Sequence, residues 1–558
     1  MPDFMLLRFL VLWSLGSLFY IVSGAEVGAE NIKCGLSTVD ITPPGSGWRR
    51  YGYYQEIFIT GVHDPLFAKA VVMEQGEEKA ALLECDLCFI TRKLSDTVRE
   101  RASILTGIPK QNIIICATHT HSGPDYDGVL RDIRHEAALR ETQRDEHEPM
   151  DYFAMLTDRC VEAIVDANQV RQPVQLEVGE IMTENIAYQL CYYTPDGTVQ
   201  TLPSAFNVWA PVDRKSKLFW LILMVPIGGL LVLLFCSKRR WPRPVMAVIL
   251  IGFAGIEIFL AFLHGSGFPD YKALLKSRLT GGDSKVAIRP AGPVDADLSF
   301  LLISETSQHP LGSLSAFACH PITFSPNQFS GDYPAYLESA LRQHFGDRFI
   351  SIFGIGAAGD IGNIDSTGKH RPSRTNEPAR IGYALSDSIL TNLTKLEAMD
   401  TPNLAVRTSI VDVPLEEITP EDVASSYEVI HQNDKLAPVS ARAIDHAWKV
   451  LNVERFRKAY GAKIPMEVDA IRIGNDTAIV TLPHEIFVEL GLAIKRASPF
   501  KHTFVITLAN DLDIYVPTRR AFAEGAVGSY EVNVSAIKPG GGEMLVGAAV
   551  KLLQGLKP

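Results

Sequence analysis

Two apolar runs constrain this chain more than any other feature of it. Leu218–Phe235 is uncharged and mostly apolar, and Val245–Phe262 carries a single charge, Glu257. Each is long enough to cross a bilayer as a helix and longer than an ordinary core helix. Ser237–Arg243 joins them with four cations, Lys238, Arg239, Arg240 and Arg243, around Trp241. Cations favour the cytoplasmic side and tryptophan the interface, so this joint predicts a cytoplasmic turn. The expectation is a two-helix transmembrane hairpin, with helices at about 218–236 and 245–263, inside an insertion over 203–282. Met5–Val22, apolar but for Arg8, precedes the small residues Ser23, Gly24 and Ala25 and reads as a signal peptide or anchor over residues 1–25.

On either side of the insertion the period changes. Within 26–202, short apolar runs (Ala68–Met73, Ala80–Cys85, Ile113–Ala117) alternate with helix-like stretches (Leu94–Leu105, Tyr152–Ala167). The pattern resumes in 283–558 with Phe300–Ile303, Ser315–Ala318 and Phe349–Phe353. This predicts an α/β fold: a single large domain of mixed β-sheets and flanking helices, interrupted by the hairpin. Arg131–Pro149, polar and mixed in charge, is expected to be an exposed excursion. A net charge of -11 lacks the dense cations that a phosphate backbone requires, which excludes nucleic acid as a partner. The eight cysteines are scattered, and Cys85-Asp-Leu-Cys88 lacks a second pair, so it reads as buried strand. No disulfide framework can be inferred.

The chemistry concentrates in Asn112–Pro124, a β-rich run ending in His119-Thr-His121-Ser-Gly-Pro124. Residues i and i+2 of a strand share a face, so His119 and His121 can aim two imidazoles at one point, as a metal site needs. His320 follows the strand-like Ser315–Ala318, with Cys319 expected to face the core on the opposite side. From the residues alone, His320 as a simple strand end and His484, beside Glu485, as an exposed loop histidine remain open.

Thr118-His-Thr-His-Ser-Gly-Pro124 resembles the signature of the neutral/alkaline ceramidase family, and Cys34-Gly-Leu-Ser-Thr-Val-Asp-Ile-Thr-Pro43 resembles its first strand. The resemblance continues through Gly292-Pro-Val-Asp295, Phe317-Ala-Cys-His320-Pro321, Gly356-Ala-Ala-Gly-Asp360, Leu482-Pro-His-Glu485 and Tyr515-Val-Pro-Thr518, covering most of residues 34–555. It implies hydrolysis of an amide, the N-acyl linkage of ceramide or a related lipid, by zinc-activated water. It implies His119, His320, Glu485 and Tyr515 as Zn2+ ligands and His121 and Tyr530 as catalytic residues at the scissile amide. Tyr530 would help to stabilise the oxyanion, while His121 would carry the proton to the leaving amine. Asp360 and Asn363 would shape the substrate side of the pocket. Two imidazoles and a carboxylate suit catalytic zinc, which keeps a position open for water.

The chain departs from that family in three places. The loop Gly359-Asp-Ile-Gly-Asn363 has no serine, which argues against an acyl-enzyme. Asn185-Ile-Ala-Tyr-Gln-Leu-Cys191 lacks the family's pocket arginine, and no C-terminal immunoglobulin-like domain is expected. Two alternatives arise: a hydrolase of another amide or ester, or a non-catalytic membrane sensor with a degenerate pocket. The implied partners are a lipid or other amide substrate and the membrane, with no protein partner inferred. The site is expected outside the cytoplasm. Because His119 precedes the hairpin and the other ligands lie after it, both halves must sit on the same side.

Overall fold

The computed structural model describes residues 32–193, 197–201, 289–306, 309–324, 326–365, 376–399, 403–511, 514–525 and 528–558. The expected signal segment and both apolar runs lie outside the described residues. Among the described residues no helix is long and apolar enough to cross a membrane.

The apolar runs become strands buried on both faces. Ile113–Ala117, Glu78–Cys85, Phe67–Gln75, Lys33–Asp40 and Gln172–Pro173 lie side by side in one sheet. Successive side chains point to opposite faces. Val71, Met73, Leu82, Ile114 and Cys116 therefore enter one core, while Val72, Leu83, Ile113 and Ile115 enter another. A strand covered on both faces reads as an unbroken apolar run, which explains why these segments stood out in the sequence. The first core is shared with two further sheets. One orders Ile350–Ile355, His309–Phe317, Asp297–Thr306, Gln175–Met182 and Glu397–Ala398; the other orders Leu404–Pro414, Lys463–Ile473, Thr477–Thr481 and His502–Ile506. Leu301, Leu314 and Ile352 from the former and Ile471, Phe504 and Ile506 from the latter fill it. Helices Arg92–Thr106 and Tyr152–Gln169 cover the outer face of the first sheet through Val98, Leu156 and Ile164. The result is a mixed α/β fold of stacked sheets with flanking helices.

Three parallel strand pairs set the direction of the chain near its chemistry-bearing loops: Glu78–Cys85 with Ile113–Ala117, His309–Phe317 with Ile350–Ile355, and Thr477–Thr481 with His502–Ile506. A parallel pair needs a crossover, here supplied by helices Arg92–Thr106, Asp332–Phe345 and Val488–Ala497. Loops at the carboxyl ends of such strands are where α/β folds place their sites. A small sheet at one side orders Arg289–Pro290, Cys191–Tyr193 and Val199–Thr201, so the chain leaves and re-enters the described structure in neighbouring strands.

Beneath the first sheet lies a buried charge cluster. Lys69 Nζ is 3.0 Å from Glu338 Oε2, 3.7 Å from Glu84 Oε2 and 3.8 Å from Asp86 Oδ2. Lys69, Glu84 and Asp86 are almost wholly buried. Burial pushes the Glu84 carboxyl well above its usual range, against the pull of Lys69.

Arg131–Pro149 departs from expectation. Val129–Thr142 is a helix rather than an excursion. Its charges have partners: Arg131 pairs with Glu148, Arg134 with Asp434, and His135 with Asp145. Two of these pairs lie within the stretch, while Arg134 to Asp434 and Asp145 to Arg49 tie it to distant residues, which local composition does not reveal. His135, Asp145 and Glu148 cluster in the manner of metal ligands, but Arg49 and Arg131 already neutralise the two carboxylates.

Candidate metal centre

Each of three expected ligands leaves the carboxyl end of a strand in one of the parallel pairs. His119 follows Ile113–Ala117, His320 follows His309–Phe317, and Glu485 follows Thr477–Thr481. They are 1%, 4% and 5% exposed, and their ligand atoms converge. His119 Nε2 lies 2.9 Å from His320 Nε2 and 3.4 Å from Glu485 Oε2, and His320 Nε2 lies 3.1 Å from the same oxygen.

The other ring nitrogens decide what this convergence means. His119 Nδ1 is 2.6 Å from the Cys88 carbonyl oxygen, and His320 Nδ1 is 2.9 Å from that of Ala358. A carbonyl only accepts, so each Nδ1 carries the proton and donates, leaving each neutral Nε2 with a lone pair facing inward. Two lone pairs and a carboxylate oxygen then meet with no proton assigned between them. Glu485 Oε2 is buried with no hydrogen-bond partner. A divalent metal ion held between them would resolve this repulsion. The spacings are close to the roughly 3.3 Å edge of a tetrahedron with ligand bonds near 2.0–2.1 Å, so the donor set fits such an ion.

The expected face-sharing of His119 and His121 on one strand is not the geometry found. The strand ends at Ala117, and His119 sits beyond it with φ 69°. A positive φ at a non-glycine residue is strained and persists only where surrounding structure enforces it, often at functional sites. The turn sends His119 to the ligand cluster and leaves His121 alongside, its ring 4.9 Å from that of His119 and 5.8 Å from that of His320. Both ring nitrogens of His121 are buried without a hydrogen-bond partner. Burial depresses its pKa well below the usual value, which favours the neutral imidazole.

The other expected residues gather around this cluster with different engagements. Tyr515 is buried and pairs its backbone with Glu485 in a short parallel bridge. Its ring meets that of Tyr530 edge-on at 5.7 Å. Asp360 lies behind the ligands: Oδ1 accepts from the Val488 N–H at 2.8 Å and Oδ2 from Gln189 Nε2 at 2.9 Å. Beside it, Gly359 approaches so closely that a Cβ there would meet the Glu485 carbonyl oxygen at 2.7 Å. Asn363 Nδ2 donates to Glu377 Oε1 at 3.5 Å. The hydrogen bonds described for Asp360 and Asn363 are thus to the protein's own framework. His484 is not an exposed loop residue: it is fully buried at φ 67°, and burial lowers its pKa to about 4. Cys319 is buried two residues past the end of His309–Phe317, and Cys88 lies past the end of Glu78–Cys85, its Sγ 3.5 Å from His119 Nδ1.

Sequence reasoning missed the turn Arg49-Arg50-Tyr51-Gly52-Tyr53-Tyr54. Arg50 is buried, and its guanidinium donates to the carbonyl oxygens of His121 at 2.6 Å and Phe324 at 3.0 Å, stitching the two histidine-bearing loops together. The density of cations and tyrosines around one glycine was the available signal.

Asp360 carries a pH expectation. Burial raises its carboxyl from 3.8 to about 7, and Asp125 and Asp469 also reach about 7. A folded-state pKa above the unfolded value means that the native state binds more protons between the two, so stability is greatest below about pH 4 for these groups and is lost as pH rises through 7. Urea midpoints should therefore fall between pH 5 and 8, and Asp360→Asn should flatten that fall. An unchanged slope in the variant would assign the pH dependence to other groups.

Comparison with known proteins bears on the fold and on the N-terminal part of the chain. The sequence model of the family "neutral/alkaline non-lysosomal ceramidase, N-terminal" matches residues 32–190. The matched part carries His119 and His121, while His320, Glu485 and Tyr515 lie beyond it. The chain is 24% identical over 265 residues to the neutral ceramidase of Mycobacterium tuberculosis, covering 46% of this chain and 34% of that protein. It is 28% identical over 166 residues to neutral ceramidase A of Dictyostelium discoideum, covering 28% of this chain and 22% of that one. The matches thus span about a third or less of the curated relatives' length. The fold resembles the crystal structure of neutral ceramidase from Pseudomonas aeruginosa with a TM-score of 0.59 at 17% identity, over 95% of this chain and 75% of that one. Over residues 32–190 the chain is thus similar to the neutral/alkaline ceramidase N-terminal family, and its fold is similar to that of a neutral ceramidase.

Proposed function

We propose that this chain is a zinc-dependent hydrolase that cleaves the N-acyl amide of ceramide or a related lipid. The observation that carries the proposal is the convergence of His119 Nε2, His320 Nε2 and Glu485 Oε2, with the partnerless imidazole of His121 beside them. The names of the matched relatives supply the substrate class.

Zinc held by His119, His320 and Glu485, with Tyr515 as a fourth ligand, would polarise an amide carbonyl and lower the pKa of water. The chain's own residues do the rest. His121, neutral and buried, accepts a proton and passes it to the leaving amine. Tyr530 donates a hydrogen bond to the carbonyl oxygen as charge develops there. Asp360 and Asn363 stiffen the substrate side of the pocket by tying Val488, Gln189 and Glu377 in place. With no serine between Gly359 and Asn363, attack by water needs no acyl-enzyme. The reading puts the site outside the cytoplasm. Leu218–Phe235, Val245–Phe262 and the cationic joint between them support a tether at the surface where a lipid amide resides.

His121→Ala tests the mechanism. The purified variant should keep its zinc while turnover of a fluorogenic N-acyl sphingosine falls by about 10²-fold. Loss of zinc with activity would make His121 a ligand rather than a proton carrier, and unchanged turnover would remove it from the mechanism.

A further inference from the structure

The turn over Arg50–Tyr54 touches the site at three points, each from a different residue. Arg50 Nε donates to the His121 carbonyl oxygen at 2.6 Å, and Nη2 donates to Ser122 Oγ at 3.0 Å, which fixes the backbone carrying His121. Gly52 lies directly against the His121 ring. A Cβ at Gly52 would fall 2.2 Å from His121 Nδ1 and 3.0 Å from Cε1, and its φ of +92° is a conformation that other residues adopt with strain. Gly52 is itself exposed, so this turn forms the rim between His121 and solvent. At the far end, the Tyr54 hydroxyl donates to the Tyr530 hydroxyl at 3.2 Å.

Tyr54 is anchored on its other sides. Its carbonyl accepts from Arg134 Nη2 at 2.6 Å and from Asn433 Nδ2 at 2.8 Å. Its ring meets Trp448 edge-on at 6.4 Å, and the Asp445 carboxyl on the same helix, Ala441–Tyr460, adjoins its hydroxyl. Burial keeps the Tyr54 phenol protonated, so it remains a donor. The 3.2 Å contact with the anchored Tyr54 hydroxyl sets where the Tyr530 oxygen sits.

We propose that the Arg50–Tyr54 turn is the positioning element of this site, seating the His121 imidazole against Gly52 and orienting the Tyr530 hydroxyl through Tyr54. The inference rests on the hydrolase reading above. It assigns Tyr54 and Gly52 as positioning residues, acting through groups that meet the substrate. A donor held in place before reaction stabilises developing charge without reorganising, which is what a fixed Tyr530 supplies.

The test uses the full chain in detergent, loaded with zinc, in wild-type, Tyr54→Phe, Tyr530→Phe and double-variant forms, with Gly52→Ala alongside. Three quantities are measured: zinc per chain, affinity for octanoyl hydroxamate, and kcat and KM on a fluorogenic N-acyl sphingosine. Tyr54→Phe removes one oxygen and should keep zinc and KM within about twofold while lowering kcat and hydroxamate affinity by about fivefold to tenfold. The double variant should be no worse than Tyr530→Phe alone, because both changes disable one donor. Gly52→Ala should keep zinc and lower kcat by about 10²-fold through displacement of His121. Additive losses from Tyr54→Phe and Tyr530→Phe, or wild-type kcat and affinity in Tyr54→Phe, would overturn the inference. If the wild type leaves N-acyl sphingosine intact but the hydroxamate cycle is non-additive, the positioning role stands and the substrate assignment falls. A wild type that binds no zinc overturns both.

Discussion

His320→Ala, and equally His119→Ala, should lose metal and activity together. Each imidazole is nine-tenths or more buried, with Nδ1 on a backbone carbonyl that aims its Nε2 inward, and His121 beside them has no such carbonyl to aim a nitrogen at the same point. One nitrogen, the Glu485 carboxylate and the weaker Tyr515 oxygen make a poor zinc ligand set. Turnover should fall by roughly 10³-fold or more, the equivalent of several kcal/mol of transition-state stabilisation. Metal analysis of the purified variants beside turnover assays checks this. Full zinc content in either variant would show that its imidazole is not a ligand, and the site would need another set of donors.

Lys69→Met should be among the most destabilising single changes in the domain. The substitution keeps volume but leaves Glu84 and Asp86 buried without their cation, and both Glu84 oxygens already lack a hydrogen-bond partner. Removing one partner of a buried ionic cluster typically removes about 3–5 kcal/mol. The loss should shrink as pH falls, because protonation of the orphaned carboxyls relieves the buried charge. Urea denaturation of the variant at pH 5 and pH 8 separates the cases. Equal losses at both would mean that packing, rather than charge, is what Lys69 supplies. Function is coupled to this cluster through the chain: Glu84 and Asp86 flank the end of Glu78–Cys85, and two residues beyond Asp86 the Cys88 carbonyl holds His119.

The elements of this fold were legible wherever a strand is buried on both faces. Ala68–Met73, Ala80–Cys85 and Ile113–Ala117 announced themselves as apolar runs, and the helix read at Leu94–Leu105 is found at Arg92–Thr106, begun by a Thr91 hydroxyl that accepts from the Leu94 N–H. Helix Val129–Thr142 was not legible, because its charges are answered by residues such as Asp434, far away in sequence. The site divides similarly. Histidine spacing marked the His119 segment but suggested the wrong geometry, since two residues on a strand share a face while a residue at φ 69° breaks the strand. His320 and Glu485 became candidates only through resemblance to a family, and nothing local distinguishes them from structural residues. The Arg50–Tyr54 turn escaped entirely: its contacts to His121 and Tyr530 span 71 and 476 residues, beyond the reach of any periodicity.

In the small sheet of Arg289–Pro290, Cys191–Tyr193 and Val199–Thr201, Thr201 opposes Cys191 on one side of the central strand, and Arg289 opposes Tyr193 on the other. With strands about 4.8 Å apart and about 3.4 Å of rise per residue, the two ends stand roughly 12 Å from each other. So narrow a gap between exit and entry is compatible with reading residues 202–288 as an insertion. The entropy of closing a loop depends only weakly on its length, and domains accept insertions where exit and entry are neighbours. The meeting of His119 with His320 is therefore the work of the stacked sheets. On that reading a change in the length of the inserted stretch would leave the convergence of His119, His320 and Glu485 intact.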